Sequence, residues 1–294
     1  MIVKMQHGPD FHATTFAEHR SFLLSLAYRM LGSTTETEDI VQECYLRWLK
    51  VSREEVESPK AYLAKIVTRQ CINYWQSARV RREQYVGPWL PAPLLTAQAE
   101  DPVELSESLT MAFLVLLERL SPTERAVFLL SEVFDYSVEE IAETVGKTAV
   151  NCRQILHRAR MAVAGRRPRF EARTEDAIPL LRSFEQAVSS GDLRALVNLL
   201  HPEALLMTDG GGKVKAALNP ISGADKVARF FLGIAQRPEV LGLEPMLAEI
   251  NREPGIVFLR NGRIESTMVF HIEEGKISGI FVTSNPEKLS HLVQ

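Results

Sequence analysis

The sequence lacks the features of several classes of protein. Its three cysteines, Cys44, Cys71 and Cys152, form no Cys-x-x-Cys pair, which argues against a disulfide framework and a structural zinc site. We expect them on the apolar faces of helices, as small buried side chains. The 16 glycines and 15 prolines among 294 residues are too few for a collagen-like or low-complexity chain.

Long apolar runs are also missing. The most apolar stretch, 112–117, is far shorter than the roughly 20 residues that cross a bilayer. The first 16 residues contain no apolar core of the kind that signal peptides use. We therefore expect a soluble cytoplasmic protein without membrane contact. At roughly 150 residues per domain, the length predicts two domains with room for a small third.

The formal net charge of -3 conceals an uneven distribution. Residues 60–82 carry six lysines and arginines and no acidic residue, whereas residues 147–173 carry eight against one glutamate. From residue 174 onward, fifteen acidic residues exceed twelve basic ones. Solvated helix faces usually mix both signs, so the two basic blocks predict two separate contacts with a polyanion.

Two helical regions are predicted, 13–86 and 103–164, because apolar residues recur there at spacings of three and four. Ser58 and the proline after it mark a helix start. Ser33 and Thr35 are alternative starts of the next helix, because each is followed three residues later by a glutamate (Glu36 or Glu38), which predicts a capping box. This helix has an apolar stripe and an opposite polar face, which holds Asp39, Gln42, Glu43 and Arg47.

The second helical region ends in two short helices joined by a tight turn. Ser137 to Glu140 is a capping box that opens the first, Gly146 ends it, and Thr148 caps the next. The last helix places Asn151, Arg153, Gln154, Arg158 and Arg160 opposite its apolar stripe. These side-chain types bind base edges and phosphates, so we predict a DNA-binding helix-turn-helix. Spacing alone leaves a plain αα-hairpin open.

Residues 87–105 interrupt the helices. Prolines at 88, 91 and 93 remove donors and restrict the residues before them, so an extended linker is predicted. A flexible tether would be rich in glycine and serine, whereas this linker carries Trp89, Leu90, Leu94 and Leu95. We expect these apolar residues to dock on a partner surface.

From residue 169 the pattern is that of an α+β domain. Two helical segments precede strands predicted at 204–208, 214–218, 243–250, 256–260, 264–272 and 276–283. Asn261-Gly262 is a strong hairpin turn, and helices followed by an antiparallel meander indicate a separate domain. The predicted domains are 1–86 (helical), 87–105 (linker), 106–168 (helix-turn-helix) and 169–294 (α+β).

Several motifs resemble the bacterial extracytoplasmic-function (ECF) sigma factors. Asp39-Ile40-Val41-Gln42-Glu43 with Trp48, and the helix from Ser58-Pro59-Lys60 to Arg79-Val80-Arg81-Arg82, resemble their region 2. The stretches 120–125, 140–143 and 156–160 resemble region 4. One subgroup carries a cone-shaped, SnoaL-like C-terminal domain. Three segments of this sequence resemble the motifs of that subgroup, namely Trp89-Leu90-Pro91, Asp209-Gly210-Gly211-Gly212-Lys213 and Asn285-Pro286-Glu287-Lys288-Leu289.

The resemblance implies a promoter-specificity subunit that binds core RNA polymerase and promoter DNA, needs no cofactor and is monomeric when free. Polymerase binding is implied for Asp39, Gln42, Glu43, Arg47 and Trp48. Promoter melting is implied for Lys60, Asn73, Tyr74, Arg79, Arg81 and Arg82. Promoter reading is implied for Lys147, Thr148, Asn151, Arg153, Gln154, His157, Arg158 and Arg160. Ile155 replaces a basic residue common in the family, so one phosphate contact is expected to be missing.

The C-terminal domain is expected to regulate in cis. Asp209, His201 and His271 are its candidate acid–base groups, but a lone strand histidine is more often structural, and no catalytic or metal-binding residue is assigned. Three consecutive glycines let the backbone approach another chain closely, so we expect this loop and residues 285–289 to hold the linker. The expected set is Trp89, Leu90, Pro91, Pro93, Leu94, Asp209, Gly210, Gly211, Gly212, Lys213, Asn285, Pro286, Glu287, Lys288 and Leu289.

Two other functions remain open from the sequence. One is a small-molecule-binding or isomerase/cyclase-like enzyme domain fused to a DNA-binding helix-turn-helix. The other is a helix-turn-helix repressor with a ligand domain, which would usually dimerise on a palindrome. An unknown small ligand within the cone is compatible with all three functions.

Overall fold

The computed structural model describes residues 9–52, 56–96, 109–164 and 174–292. Within them the helices are α1 (Pro9–Leu31), α2 (Thr34–Trp48), α3 (Pro59–Glu83), α4 (Met111–Leu117), α5 (Pro122–Glu132), α6 (Val138–Val145), α7 (Ala149–Val163), α8 (Thr174–Ser190), α9 (Leu193–Leu199), α10 (Ala224–Ala235) and α11 (Pro286–Leu289). The strands are β1 (Leu200–Asp209), β2 (Ile221–Ser222), β3 (Glu244–Ile250), β4 (Glu253–Arg260), β5 (Arg263–Glu273) and β6 (Lys276–Thr283).

The chain divides into two compact units, residues 1–79 with 119–164 and residues 80–118 with 165–294. These units do not test the predicted domain boundaries, which stay a prediction. No helix among the described residues is long and apolar enough to cross a membrane.

The first unit is all-α. In it α1 packs against α2 and α5, and α5, α6 and α7 pack on one another. The three cysteines are buried in this unit, as predicted. Burial raises the pKa of Cys44 to about 12, so its thiol stays protonated and inert. The core is lined by aliphatic side chains that include Leu23, Leu26, Leu63, Val67, Val127, Leu130, Ile141 and Leu156.

Local sequence determines most helix starts in this unit. The Ser58 hydroxyl accepts the backbone N–H of Ala61 at 3.3 Å, and Ser121 forms a capping box with a glutamate three residues later. The capping box predicted at Ser33 is wrong, because that side chain makes no cap hydrogen bond. The Ser33 carbonyl instead accepts the Thr37 hydroxyl at 2.6 Å.

The second unit contains a six-stranded sheet in the order β2-β1-β6-β5-β4-β3. Strands β3 to β6 form the predicted antiparallel meander, but β1 runs parallel to β6. The strand predicted at 214–218 is wrong: those residues form turns and irregular structure, because Gly211 and Gly212 reverse the chain at φ values of 61° and 71°. The short β2 pairs with β1 instead, and α10 was not predicted.

Each face of the sheet has its own apolar core. One face packs against α8, α9 and α10, with Phe184 and Phe270 at its centre. The opposite face is covered by the linker and by α4. Leu90 and Met111, both 0% exposed, pack there with Val257 of β4. The linker is therefore part of the core of the second unit.

Candidate polymerase, DNA and linker sites

Helices α6 and α7 form a helix-turn-helix. Ser137 opens α6 with a capping box. Gly146 ends it at φ 69° and ψ 42°, the left-handed conformation that glycine adopts without strain. The Thr148 hydroxyl then accepts the backbone N–H of Asn151 at 3.2 Å and starts α7. This local chemistry leaves the first residues of α7 exposed.

The polar face of α7 and of the turn before it is exposed along its length. All eight predicted DNA-binding residues lie on this surface, namely Lys147, Thr148, Asn151, Arg153, Gln154, His157, Arg158 and Arg160. Arg153 lies 2.8 Å from Glu139 and Arg160 lies 2.6 Å from Glu132. Exposed ion pairs of this kind contribute little free energy, so both guanidinium groups can turn toward phosphates.

Two aliphatic residues of α7 lie in different environments, and the apolar stripe predicted the burial of Ile155 but not the exposure of Val150. Val150 is 63% exposed beside Asn151, and an apolar side chain at this end of a recognition helix can contact a thymine methyl group. Ile155 is only 4% exposed. Ile155 faces the core of the first unit, and the missing phosphate contact at this position stays a prediction.

Part of the basic block on α3 binds α6. The Lys65 ammonium lies 2.7 Å from the Glu143 carboxylate, and it holds the pKa of that carboxyl below its usual range. Arg69 donates to the carbonyls of Glu143 and Thr144 at 3.0 and 2.8 Å. These carbonyls end α6, where the helix dipole favours a cation. Two of the six basic residues therefore pack the first unit in this conformation.

The residues expected to melt the promoter lie along α3. Lys60 and Asn73 are exposed. Tyr74 is half-buried, and its hydroxyl donates to the Glu36 carboxylate at 2.9 Å. The helix continues through Arg79, Arg81 and Arg82, whose side chains lie outside the described residues.

Helix α2 presents a face that mixes charge with apolar side chains. The predicted residues Asp39, Gln42, Glu43 and Arg47 are exposed on it, and Glu43 lies 2.5 Å from Arg47 one turn later. Leu46 and Leu49, which were not predicted, are 52% and 44% exposed beside them. Exposed large apolar side chains in one patch are typical of a protein interface.

Trp48 does not lie on this face. It is 1% exposed, and its indole N–H donates to the His12 carbonyl at 3.0 Å. Its ring packs against those of His12 and Tyr62 at centroid distances of 5.4 and 6.0 Å. Trp48 stands one turn after Cys44 on the buried stripe, so helix geometry directs it inward. This burial contradicts a direct contact of Trp48 with a partner.

In the second unit, the Asp209 carboxylate holds the linker at the end of β1. Asp209 is 1% exposed. One oxygen, Oδ2, accepts the Leu90 backbone N–H at 2.8 Å and the Lys288 ammonium at 2.7 Å. The other, Oδ1, accepts the Tyr85 hydroxyl at 2.5 Å and the Gly211 backbone N–H at 3.0 Å. Four donors therefore satisfy this buried charge.

Lys288 is the second centre of the linker site. Its ammonium also donates to the Leu90 carbonyl and lies 3.8 Å from the centroid of the Trp89 ring, which is a cation–π contact. Burial, and then the hydrogen bond to Asp209, raise the pKa of Tyr85, so its phenol stays protonated and donates. Lys288 thus binds the linker through its backbone and through an aromatic ring.

The three glycines let the loop after β1 come close to its neighbours. A Cβ at Gly211 would lie 2.3 Å from the Asn285 amide nitrogen, so a larger residue cannot be accepted without displacing Asn285. A Cβ at Gly212 would lie 3.2 Å from Val86. Asn285 in turn donates to the Tyr85 hydroxyl at 2.9 Å. The glycines therefore bring residues 285–289 and the start of the linker together.

The remaining predicted linker-binding residues surround this centre. Pro91 and Pro93 are buried and Leu94 is half-buried, whereas Gly210 and Leu289 are buried and Pro286 is exposed. Lys213 pairs with Glu287 across the loop. Sequence reasoning missed Tyr85, which is 124 residues from Asp209, and His291, whose Nε2 lies 2.8 Å from the Pro93 carbonyl. Neither carried a local signal, because each partner is distant along the chain.

The candidate acid–base groups do not converge on one pocket. Asp209 binds the linker, His201 lies on β1, and His271 on β5 has its Nδ1 2.6 Å from the Glu253 carboxylate. A surface groove of 570 Å³ lies between α9, β2 and α10, and none of the three groups lines it. Among the described residues, no cluster of histidine, cysteine and acidic side chains could hold a metal ion.

Two family models match the helical part of the chain. Sigma-70 region 2 matches residues 15–81, and Sigma-70 region 4 matches residues 110–163. The first match spans most of α1 to α3, and the second spans α4 to α7.

Relatives extend the similarity through the second unit. The ECF RNA polymerase sigma factor SigJ of Mycobacterium tuberculosis is 34% identical over 290 residues, which cover 94% of this chain and 92% of the relative. The probable ECF RNA polymerase sigma factor SigI of the same species is 31% identical over 293 residues, with coverage of 98% and 97%. The crystal structure of SigJ matches with a TM-score of 0.76 at 32% identity, covering 95% of this chain and 98% of that chain.

These matches confirm the predicted fold class, two all-α sigma regions followed by an α+β, SnoaL-like domain. They also favour the sigma-factor function over a DNA-tethered enzyme domain. With both sigma-70 regions in order and a relative that matches over nearly the whole length, the chain belongs to the extracytoplasmic-function sigma factors.

Proposed function

We propose that this sigma factor binds core RNA polymerase through the exposed face of α2, contacts the melted promoter along α3 and reads an upstream promoter element with α7. The exposure of Asp39, Gln42, Glu43 and Arg47 supports the first role. Two exposed leucines beside them supply the apolar part of a protein interface. The basic, amide-bearing face of α7 supports the third role.

The C-terminal unit controls this activity in cis by holding the linker. The observation that carries this proposal is the ion pair between Asp209 and Lys288, whose side chains are 0% and 11% exposed. Both partners also bind the backbone of Leu90. Because the linker joins region 2 to region 4 along the chain, holding it limits the separations that the two regions can adopt.

The C-terminal unit acts in this proposal as a brace rather than an enzyme. Of the two buried acids among its described residues, Asp209 accepts from four donors, and Glu253 pairs with the buried His271. The linker and α4 cover one face of the sheet, which supports a monomer in the free state. The groove beside α10 is open to an unknown ligand, and its lining does not select a chemistry.

Run-off transcription with purified core polymerase tests the assignment. We expect promoter-dependent transcripts only when this protein is added, because core polymerase alone lacks promoter specificity. Binding to free promoter DNA in the absence of core polymerase should be weak and steeply salt-dependent. A protein that binds a palindrome as a dimer and yields no transcript would favour the repressor instead.

Substitutions on α7 should separate base reading from phosphate binding. We expect Asn151→Ala to weaken holoenzyme binding by about 1–3 kcal/mol and to relax specificity at one base pair. Arg158→Ala should weaken binding to all promoters similarly and reduce the salt slope by about 1. Binding of labelled promoter DNA at several salt concentrations measures both effects, with Arg229→Ala on α10 as the control. Equal losses on matched and mismatched promoters for Asn151→Ala would contradict base reading.

A further inference from the structure

The turn between β3 and β4 contacts the chain at two places, at Leu94 in the linker and at Leu109 just before α4. At the linker side, the Asn251 backbone N–H donates to the Leu94 carbonyl at 2.8 Å, and the Leu94 N–H donates back to the Asn251 side-chain oxygen at 2.9 Å. At the other side, the Asn251 amide group donates to the Leu109 carbonyl at 3.2 Å. One buried side chain therefore joins two places fifteen residues apart.

The conformation of the turn makes this possible. Asn251 has a φ of 52°, a left-handed value that asparagine tolerates better than most residues. Its neighbour Arg252 donates its backbone N–H to the Thr96 hydroxyl at 3.3 Å. Leu95 adds an antiparallel bridge to Ile250, the last residue of β3. The turn thus continues the sheet edge into the linker.

Glu253 holds the start of α4. Its carboxylate accepts the backbone N–H of Met111 at 2.6 Å, and the N–H of Ala112 also bonds to it. An anion at the first turn of a helix satisfies free donors and interacts well with the helix dipole. Glu253 is 2% exposed. Among the described residues, His271 is the one basic side chain within hydrogen-bond distance of its carboxylate.

His271 faces carboxylates on both of its nitrogens. Its Nδ1 lies 2.6 Å from Glu253, and its Nε2 lies 3.4 Å from Glu273. Among the described residues, α4 from Met111 to Leu117 carries no titratable side chain, and Gly279 stands opposite His271 on β6. Helix α11, which also packs against β5, carries Glu287 and Lys288. Lys276, across from Glu273 at the end of the hairpin, is exposed.

We propose that residues 251–253 and His271 form a second clamp, which holds the chain at Leu94 and again at Leu109 and Met111, and which releases α4 when its buried histidine–glutamate pair loses a proton. We call this set the turn clamp. It is distinct from the Asp209–Lys288 site, which holds residues 85–91. An effect of the turn clamp on transcription rests on the proposed regulatory role of the C-terminal unit. The binding of α4 by the turn clamp does not depend on that role.

The direction of the pH effect follows from the two groups. Burial lowers the pKa of His271, but the hydrogen bond and charge of Glu253 outweigh it, so that the pKa of His271 is raised. Burial also raises the pKa of Glu253. Relative to their ordinary values, both groups therefore bind protons more tightly in the folded second unit. The clamp needs Glu253 ionised and His271 protonated, so its hold on α4 weakens as the pH rises through the raised pKa of His271 and the buried carboxylate loses its charge partner.

Hydrogen exchange of the full-length protein tests the clamp without polymerase or promoter. Protection factors correct for the intrinsic pH dependence of amide exchange. We expect those of the α4 amides to fall by about tenfold between about pH 6 and pH 8.5. His271→Gln should reduce protection at low pH and remove this pH dependence. His201→Gln, a histidine of β1 outside the clamp, should keep the wild-type profile.

Two outcomes would overturn the proposal: a flat profile in the wild-type protein, or an unchanged profile in His271→Gln. If His271→Gln does not fold, Asn251→Gly keeps the left-handed turn while removing the amide group. It should then lower protection at both Leu94 and Leu109, and unchanged protection at either place would also overturn the clamp. The absence of promoter-dependent transcripts in the run-off assay, by contrast, would contradict the proposed function and leave the turn clamp untouched.

Discussion

Asp209→Asn is expected to destabilise the second unit by about 3–5 kcal/mol, because it leaves the Lys288 ammonium buried without its charge partner. A neutral amide also cannot accept four donors, since one of its two polar atoms is itself a donor. The Leu90 N–H and the Tyr85 hydroxyl would then compete for a single oxygen. We expect the linker to leave the sheet while α8, α9 and α10 stay folded.

Urea unfolding followed by hydrogen exchange at β1 and at the linker measures this loss. Asp225→Asn is the matched control, because Asp225 pairs with Arg229 on an exposed helix face at 59% and 64% side-chain exposure, and such pairs stabilise little. A loss below about 1 kcal/mol for Asp209→Asn, the median range of exposed pairs, would contradict the assigned role of the ion pair.

The same variant tests regulation. If the linker site controls the sigma regions in cis, Asp209→Asn should change run-off output while the amides of α1 to α3 and of α5 to α7 keep their protection. Asp225→Asn should transcribe like the wild type. Unchanged output from a chain whose linker is released would reject the regulatory proposal and leave the structural role of Asp209 intact.

Trp48→Ala should destabilise the first unit by about 3–5 kcal/mol, which is the cost of removing a large buried aromatic side chain. The cavity would lie among His12, Tyr62 and Phe11, all of whose rings contact the indole. Any loss of polymerase binding should therefore follow unfolding of α2, and hydrogen exchange at the α2 amides measures that unfolding directly.

Arg47→Ala is the control on the same helix. Arg47 is exposed and pairs with Glu43 one turn before it, so its removal should change stability by less than about 0.5 kcal/mol. We expect it to weaken polymerase binding nonetheless. If the Trp48→Ala variant kept the stability of the wild type and lost only its affinity for polymerase, Trp48 would contact polymerase directly, against the expectation from its burial.

The helix-turn-helix could be predicted from sequence because its determinants are local. Ser137 and its glutamate, Gly146 and Thr148 each act within three or four residues, and the structure shows each in its expected role. The apolar stripe of α7 likewise follows from helical spacing. The same helical spacing places Trp48 on the buried stripe of α2 with Cys44, whereas the family resemblance implies that it contacts polymerase.

The linker site was predictable only in part. The glycine loop and the Asn285 segment carried motifs, but Tyr85, His291 and the turn clamp carried none. Asn251 lies 157 residues from Leu94, and Glu253 lies 142 residues from Met111. A residue whose partner is that distant has no local pattern. The strand expected at 214–218 does not form, because the turn at Gly211 and Gly212 reverses the chain before it.

The position of Lys288 and His291 has a consequence for synthesis of the protein. Lys288 binds Leu90 and His291 binds Pro93, in each case 198 residues earlier in the chain. The helices of the first unit can therefore fold before these contacts with the linker form. A nascent chain that has not yet reached Lys288 would therefore carry the folded helices of the first unit on a linker that Lys288 and His291 do not yet hold.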